Sequence, residues 1–217
     1  MFNKLPFTTE EFLRVFEKYN LIVWPMQIVL ALLALLAIFL TIMRRFYSRA
    51  FILYILSFFW LWMGIVYQLL FFSAINKAAY VFGSLFIVQG VLFFITSVKR
   101  KFSFQFGNDI YSLASTILIV FPLVIYPLIG YFNGHSYPSS PTFGLPCPTA
   151  IFTLGILMVA DRCPIYLLII PVIWSVIGFG AALSLGIKED MGLLLAGIIT
   201  AILIPLKNKG IKLSNLA

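Results

Sequence analysis

Residues Leu21–Met43 read LIVWPMQIVLALLALLAIFLTIM, and Arg44 and Arg45 follow at once. The stretch carries no Asp, Glu, Lys or Arg. Its length lies in the range of about 17–25 residues that a helix needs to cross the hydrocarbon core of a bilayer. A charged side chain at the bilayer centre costs roughly 2.5–3.5 kcal/mol, so a charge-free stretch of this length is typical of a transmembrane helix.

Six further apolar stretches follow, and the 15 Lys or Arg and 7 Asp or Glu residues of the chain all lie outside them. Charged residues make up 10% of the chain, whereas soluble domains carry about 25%. We therefore predict an all-α, polytopic bundle of seven transmembrane helices. The predicted spans are Leu21–Met43, Ala50–Phe72, Ala78–Val98, Ile110–Tyr131, Pro146–Ala160, Pro164–Ile187 and Met191–Leu206.

The basic residues set the predicted orientation. The net charge of +8 comes from Lys and Arg in short clusters beside the spans, a pattern typical of topology determinants and not of a nucleic-acid-binding face. With seven spans and the N-terminus outside, ten basic residues lie inside and five outside. If the short fifth stretch were re-entrant, seven would lie inside and eight outside. The first count agrees with the positive-inside rule, so we predict N-out and C-in.

The chain before the first span is predicted to form an amphipathic helix at the outer interface. Thr8 and Glu11 match a capping box, and Phe12, Phe16 and Tyr19 follow at helical spacing. We interpret this helix as an anchor, with a lid over an outer opening as the alternative. Three regions result: an interfacial helix at 1–20, a single transmembrane domain at 21–206 and a basic cytoplasmic tail at 207–217.

The polar residues inside the predicted spans are uncharged. Proton pumps usually place Asp, Glu or His there, so their absence argues against an obligate proton relay. We interpret the polar side chains in the outer halves of the helices, together with Gln89 near the middle, as the lining of an outward-facing uncharged polar cavity. The alternative is that they only join helices, at about 0.6 kcal/mol per hydrogen bond. The main candidates besides Gln89 are Gln27, Tyr67, Gln68, Thr149 and Thr153.

The connection before the fifth span, residues Tyr137–Thr149, reads YPSSPTFGLPCPT. Its four prolines fix φ and predict a stiff outer cap. If Cys147 caps the following helix, its thiol lies beside free backbone N–H groups; the alternative is that the prolines only turn the chain. His135 lies on the same outer side, but no acidic residue accompanies the two in this loop. We therefore predict no metal, no cofactor and no catalytic residue.

Small residues recur every four positions in the last two spans, which predicts a tight helical hairpin across Lys188–Asp190. Asp190 is predicted to cap the last helix. The small residues are Gly178, Ala182 and Gly186 in the sixth span and Gly192, Ala196 and Thr200 in the seventh.

Several motifs extend over nearly the whole chain: Pro6-Phe7-Thr8, Tyr19-Asn20, Val23-Trp24-Pro25, Ala74-Ile75-Asn76, Phe82-Gly83, Gln89-Gly90 and, above all, the YPSSPTFGLPCPT segment. With them the chain resembles an uncharacterised family of bacterial polytopic membrane proteins. The resemblance implies a multi-pass protein of the bacterial cytoplasmic membrane with this helix count, and it implies no activity.

Two functions are compatible with these patterns. The first is a small-solute transporter or channel. The alternative is a non-catalytic membrane subunit or sensor that binds a partner protein or lipid, and an enzyme acting through Cys147 ranks third. The expected partners are the bilayer and a small solute, with a homo-oligomer or membrane partner protein left open and nucleic acid excluded. The candidate binding residues are Gln27, Tyr67, Gln68, Gln89, His135, Cys147, Thr149 and Thr153.

Overall fold

The computed structural model describes residues 5–43, 45, 47–99 and 102–210, and within them the chain forms helices and no strand. Two π-helical segments, Met63–Phe71 and Phe121–Ile125, continue α3 and α5, and Lys188–Asp190 forms a short 3-10 turn. Residues 211–217 of the predicted basic tail lie outside the described residues. The helices are α1 (Thr9–Ile22), α2 (Met26–Met43), α3 (Ser48–Trp62), α4 (Ala79–Lys99), α5 (Ile110–Val120), α6 (Tyr126–Phe132), α7 (Pro146–Val159), α8 (Tyr166–Leu185) and α9 (Met191–Asn208).

The chain is a multi-pass membrane protein, as the sequence predicts. Large apolar side chains stand exposed along the outer faces of its long helices, as with Leu32 at 59%, Phe39 at 55% and Leu195 at 60% exposure. A soluble protein rarely exposes so much apolar surface, whereas a bilayer covers it. Six helical stretches are long and apolar enough to cross: Met26–Met43, Ser48–Ala74, Ala79–Lys99, Ile110–Phe132, Tyr166–Leu185 and Lys188–Asn208.

Contacts between distant segments define two ends of the bundle. At the loop end, named for the segment Tyr137–Thr149, the side-chain amide of Asn20 donates to the Pro138 carbonyl at 2.7 Å. At the opposite basic end, the ammonium group of Lys207 donates to the Met158 carbonyl at 2.8 Å. The first contact joins α1 to the loop that precedes α7, and the second joins the ends of α7 and α9.

The short helix α7 runs through the centre of the bundle from the loop end to the basic end. It starts after Leu145, and at its far end Ala160 pairs with Phe104 in an isolated β-bridge. Its 14 residues rise only about 21 Å, but every one of them except Cys147 is buried. A helix that is apolar on all sides is stable when protein surrounds it. Because other helices and not lipid surround α7, its length need not match the thickness of the bilayer.

The predicted hairpin of α8 and α9 is present, but its small residues have different roles. A Cβ at Gly178 would lie 2.7 Å from Leu193 Cδ2, so this glycine permits the close approach of the two helices. Gly192 instead faces the ring of Phe121. Gly186 ends α8 with a φ of 72°, a left-handed conformation that favours glycine.

Gln89 compensates for a proline in the neighbouring helix. Pro171 has no N–H, so it leaves the carbonyl of Leu167, four residues earlier, without its helical donor. The Nε2 of Gln89 donates to this carbonyl at 3.0 Å. The hydrogen bond joins α4 to α8 and gives Gln89 a structural role.

Candidate ligand-binding site

A cavity of about 260 Å³ lies at the loop end between α1, α4 and α8. Its floor is the indole of Trp174, whose ring centroid lies 5.4 Å from that of Phe82 and 4.9 Å from that of Phe86. The partly or fully exposed lining residues include Asn76 just before α4, Phe82 in its first turn and four residues near the end of α8, so we place the mouth of the cavity between these two helices. The α8 side of the mouth consists of Ile177, Gly180, Ala181 and Ser184.

The helix α1 forms the roof of the cavity. The Phe7 and Phe12 rings lie 5.4 and 5.8 Å from the ring of Phe72, and the Phe16 ring lies 6.1 Å from that of Tyr67. All five rings line the cavity. Phe7 and the apolar face of α1 therefore cover the cavity.

The predicted capping box at the start of α1 is confirmed. The Thr8 hydroxyl accepts from the Glu11 N–H at 3.2 Å, and the Thr8 N–H donates to the Glu11 carboxylate at 2.8 Å. The hydrogen bonds from the backbone and then from the hydroxyl of Thr8 lower the pKa of Glu11. The carboxylate is therefore the form that stabilises this end of the helix.

Two buried side chains fasten α1 to the bundle. Burial raises the pKa of Tyr19 to about 12, although its hydroxyl accepts from the Trp62 indole at 2.8 Å, which favours the ionised form. The Asn20 amide donates to the carbonyls of Pro138 and Ser140 at 2.7 and 2.8 Å. Its oxygen accepts from the Thr142 hydroxyl at 2.7 Å. Asn20 thus ties the roof to the proline loop, as we call the segment Tyr137–Thr149, a role that could not be predicted from the sequence.

Gln68 presents an unpartnered amide to the cavity. Its side chain is 0% exposed, and neither Nε2 nor Oε1 has a hydrogen-bond partner among the described residues. Burying an amide without a partner costs about 1–3 kcal/mol, so an unpaired buried group calls for a specific explanation. The indole N–H of Trp174 faces the Cys147 thiol, a weak acceptor, and it makes no other hydrogen bond within the described part of the chain.

Both π-helical segments deliver side chains to this cavity. Tyr67 and Gln68 lie on Met63–Phe71, and Tyr126 follows directly on Phe121–Ile125. The Tyr126 N–H donates to the carbonyl of Phe121, five residues earlier, which is the π-helical pattern. Pro122 and Pro127 remove two α-helical donors here, so local rearrangement of the helix has a cause in the sequence. Segments of this kind occur frequently at functional sites.

An acidic residue, Asp190, lines the cavity, which corrects the prediction of an uncharged cavity. Asp190 is 3% exposed, and its carboxylate accepts from the Tyr126 hydroxyl. The Cys147 thiol interacts with the same carboxylate. The predicted cap is wrong because the 3-10 turn points this side chain inward, and it makes no capping hydrogen bond to α9.

The neighbouring carboxylate is paired separately. Glu189 is 0% exposed and lies 2.7 Å from Nδ1 of His135. His135 and Cys147 are therefore both accompanied by acidic residues, although those residues come from the turn before α9 and not from the proline loop. Glu189 and Asp190 lie between the predicted sixth and seventh spans, and the turn before α9 buries both carboxylates.

The structure brings three of the predicted binding residues, Tyr67, Gln68 and Cys147, to the cavity. Cys147 does not cap α7; the cap is Leu145, and the thiol faces the cavity from the first turn. The other five side chains make contacts elsewhere. Gln27 donates to the Asn20 carbonyl, Gln89 to Leu167, the Thr149 hydroxyl accepts from Gly144 N–H, that of Thr153 accepts from the Trp60 indole, and His135 pairs with Glu189.

Within the described part of the chain, no group of three or more His, Cys, Asp or Glu side chains is arranged to hold a metal ion. The two cysteines are unpaired. Cys163 lies at the basic end, where burial raises its thiol pKa to about 12 and the Lys207 charge acts in the opposite direction. The Cys163 side chain is also 2% exposed, so reagents in water have little access to this second thiol.

No curated protein and no solved structure matches the chain. A family model matches residues 9–214, nearly the whole length of the described bundle, from the roof helix to the end of α9. The family has no established function, in line with the resemblance seen in the motifs. The chain belongs to this family of unknown function, DUF6064.

Proposed function

We propose that the protein is a carrier for a small, largely apolar solute, which it binds in the cavity beneath α1 and takes up from the loop end. The observation that carries this proposal is the Gln68 amide, which is fully buried, unpartnered within the described residues and directed into a cavity. A bound solute with a donor and an acceptor would supply the missing hydrogen bonds.

The closed floor favours a carrier over an open channel. Trp174 contacts Phe82 and Phe86, and below it Trp60 and Phe93 are fully buried, so side chains fill the path towards the basic end. A carrier has a site that opens to one side at a time, and the π-helical segments beside the cavity give it places to bend.

The test is a search for solutes that raise the melting temperature of the purified protein in nanodiscs, run in parallel on Gln68→Met. A solute of the cavity stabilises the wild type and has little effect on the variant. The same solute should exchange across proteoliposome membranes in a counterflow assay. Gln68-dependent binding without counterflow would instead support the alternative of a sensor or membrane subunit.

We also propose that α7 is a seventh crossing, with the N-terminus outside a bacterial cytoplasmic membrane and the C-terminus inside. Two observations support this topology: α7 runs between the two ends of the bundle, and seven spans place ten basic residues inside against five outside. A membrane-impermeant maleimide should label Ser139→Cys, before α7, in intact cells and Arg162→Cys, an exposed position after α7, only after permeabilisation. The reverse pattern would contradict the orientation, and labelling of both in intact cells would contradict the crossing.

A further inference from the structure

We infer that the solute bound in this cavity is an organic monocation with an apolar body, and that Asp190 is its counter-ion. The inference rests on the proposed function and names the class of solute. It is drawn from the partners of the two buried carboxylates, the aromatic walls of the cavity and the position of its mouth.

The two neighbouring carboxylates differ in their partners. Glu189 has a basic partner, because His135 Nδ1 lies 2.7 Å from its Oε1. Asp190 makes its hydrogen bonds to neutral groups, the hydroxyl of Tyr126 and the thiol of Cys147, whereas His135 and Glu189 act on it only through space. A buried carboxylate without a directly bound cation is costly, so a ligand that brings a positive charge gains most at Asp190.

The walls around Asp190 suit a cation more than an anion. Tyr67, Phe72, Phe82 and Trp174 line the same cavity, and aromatic faces attract ammonium groups through their quadrupoles. The unpartnered Oε1 of Gln68 adds a further acceptor. Within the described residues no Lys or Arg lines the cavity, so no fixed cation competes with the ligand.

The size and mouth of the cavity define the rest of the ligand. The volume of about 260 Å³ accommodates a small molecule with one ring or a short alkyl body. The mouth opens beside Ile177 and Gly180 on α8, one of the helices that is apolar and long enough to span the membrane. An apolar body concentrates the ligand in the bilayer next to this opening.

The experiment uses two probes of nearly the same shape, benzyltrimethylammonium and its uncharged carbon analogue neopentylbenzene. Both are titrated against the full chain in nanodiscs, and binding is followed by tryptophan fluorescence, to which Trp174 at the cavity floor contributes. The variants are Asp190→Asn and, as the matched control, Glu189→Gln, whose carboxylate does not line the cavity.

The wild type should bind the cation at least about tenfold more tightly than the neutral probe. Asp190→Asn should abolish this preference while retaining affinity for neopentylbenzene, which shows that its cavity is intact. Glu189→Gln should keep the preference for the cation within about threefold of the wild-type value, since Asp190 is still present as the counter-ion.

Equal or tighter binding of neopentylbenzene by the wild type would overturn the inference and leave the proposed carrier standing. A cation preference that survives in Asp190→Asn would also overturn it. Binding of neither probe would overturn the cation class, whereas the carrier proposal fails only if no solute gives a Gln68-dependent stabilisation. If Asp190→Asn did not fold, the preference of the wild type between the two probes would still decide the class.

Discussion

Replacing Gln68 by Met should make the ligand-free protein more stable and the cavity less able to bind. The two side chains have similar length and volume, so the substitution removes the amide and keeps the packing. The Gln68 amide is buried and has no partner in the described residues, a situation that costs about 1–3 kcal/mol. Water in the cavity recovers part of this, so we expect a gain of about 1 kcal/mol, or roughly 2–4 °C in melting temperature.

Gln89→Met is the matched control because it makes the same chemical change in a second fully buried glutamine. Gln89 donates to the Leu167 carbonyl at 3.0 Å, and Pro171 supplies no other donor for that carbonyl. The variant leaves the Leu167 carbonyl unpaired but also removes the Oε1 of Gln89, which is buried without a partner in the described residues. It should therefore lose about 1 kcal/mol, which lowers the melting temperature by roughly 2–4 °C.

Thermal unfolding in nanodiscs, measured without added solute, compares the two variants. The reasoning predicts shifts of opposite sign. If Gln68→Met destabilised the protein as much as Gln89→Met does, the Gln68 amide would have protein partners. It would then not be free to bind a solute in the cavity.

Three further predictions concern the roof, the thiols and the mouth. Asn20→Ala removes three hydrogen bonds between α1 and the proline loop. It should lower the free energy of unfolding by about 3 kcal/mol and the melting temperature by roughly 6–12 °C. An unchanged melting temperature would show that Asn20 does not hold α1 in place. N-ethylmaleimide at pH 8 should modify Cys147, whose partly exposed side chain faces the cavity, and spare Cys163, which is 2% exposed, and both should react in SDS. Mass spectrometry of the folded protein checks this, and equal labelling would contradict it. Gly180→Trp should fold, because a Cβ at this position meets no atom within 4 Å, and it should abolish solute-dependent stabilisation. The control Leu183→Trp, at an exposed position of the same helix, should leave that stabilisation unchanged. Equal effects of the two variants would place the mouth elsewhere.

The class of fold could be predicted from the sequence because bilayer physics acts on each stretch separately. Length, charge exclusion and the capping box at Thr8 are local patterns, and they identified the helices and the amphipathic character of α1. The position of α7 could not be predicted in this way. Its burial on all sides depends on the helices that surround it, not on its own composition.

The candidate site was predicted only in part. Tyr67, Gln68 and Cys147 stood out as polar residues near the loop end, and they line the cavity. Asp190 was assigned a cap because a short acidic stretch between two apolar spans usually faces water. Only the packing of the turn against Tyr126 makes it a buried wall residue.

Gln89 was predicted to line the cavity, but it has a structural role that could not be predicted from its own position in the sequence. Its sequence position is as suitable for a cavity as that of Gln68, and the difference lies in a proline on another helix. Because Pro171 has no N–H, the Leu167 carbonyl is free to accept a hydrogen bond from Gln89. No described residue offers a hydrogen-bond partner to the Gln68 amide. Which polar residue is structural and which binds a ligand is therefore decided by tertiary contacts.

The most direct measurement is a density map of the protein in nanodiscs, at a resolution that shows side-chain amides, with and without benzyltrimethylammonium. The account predicts that the Gln68 amide points into a cavity under α1 and that the added cation gives density between Gln68 and Asp190. A map in which protein groups satisfy the Gln68 amide and side chains fill the space under α1, with or without the cation, would contradict it.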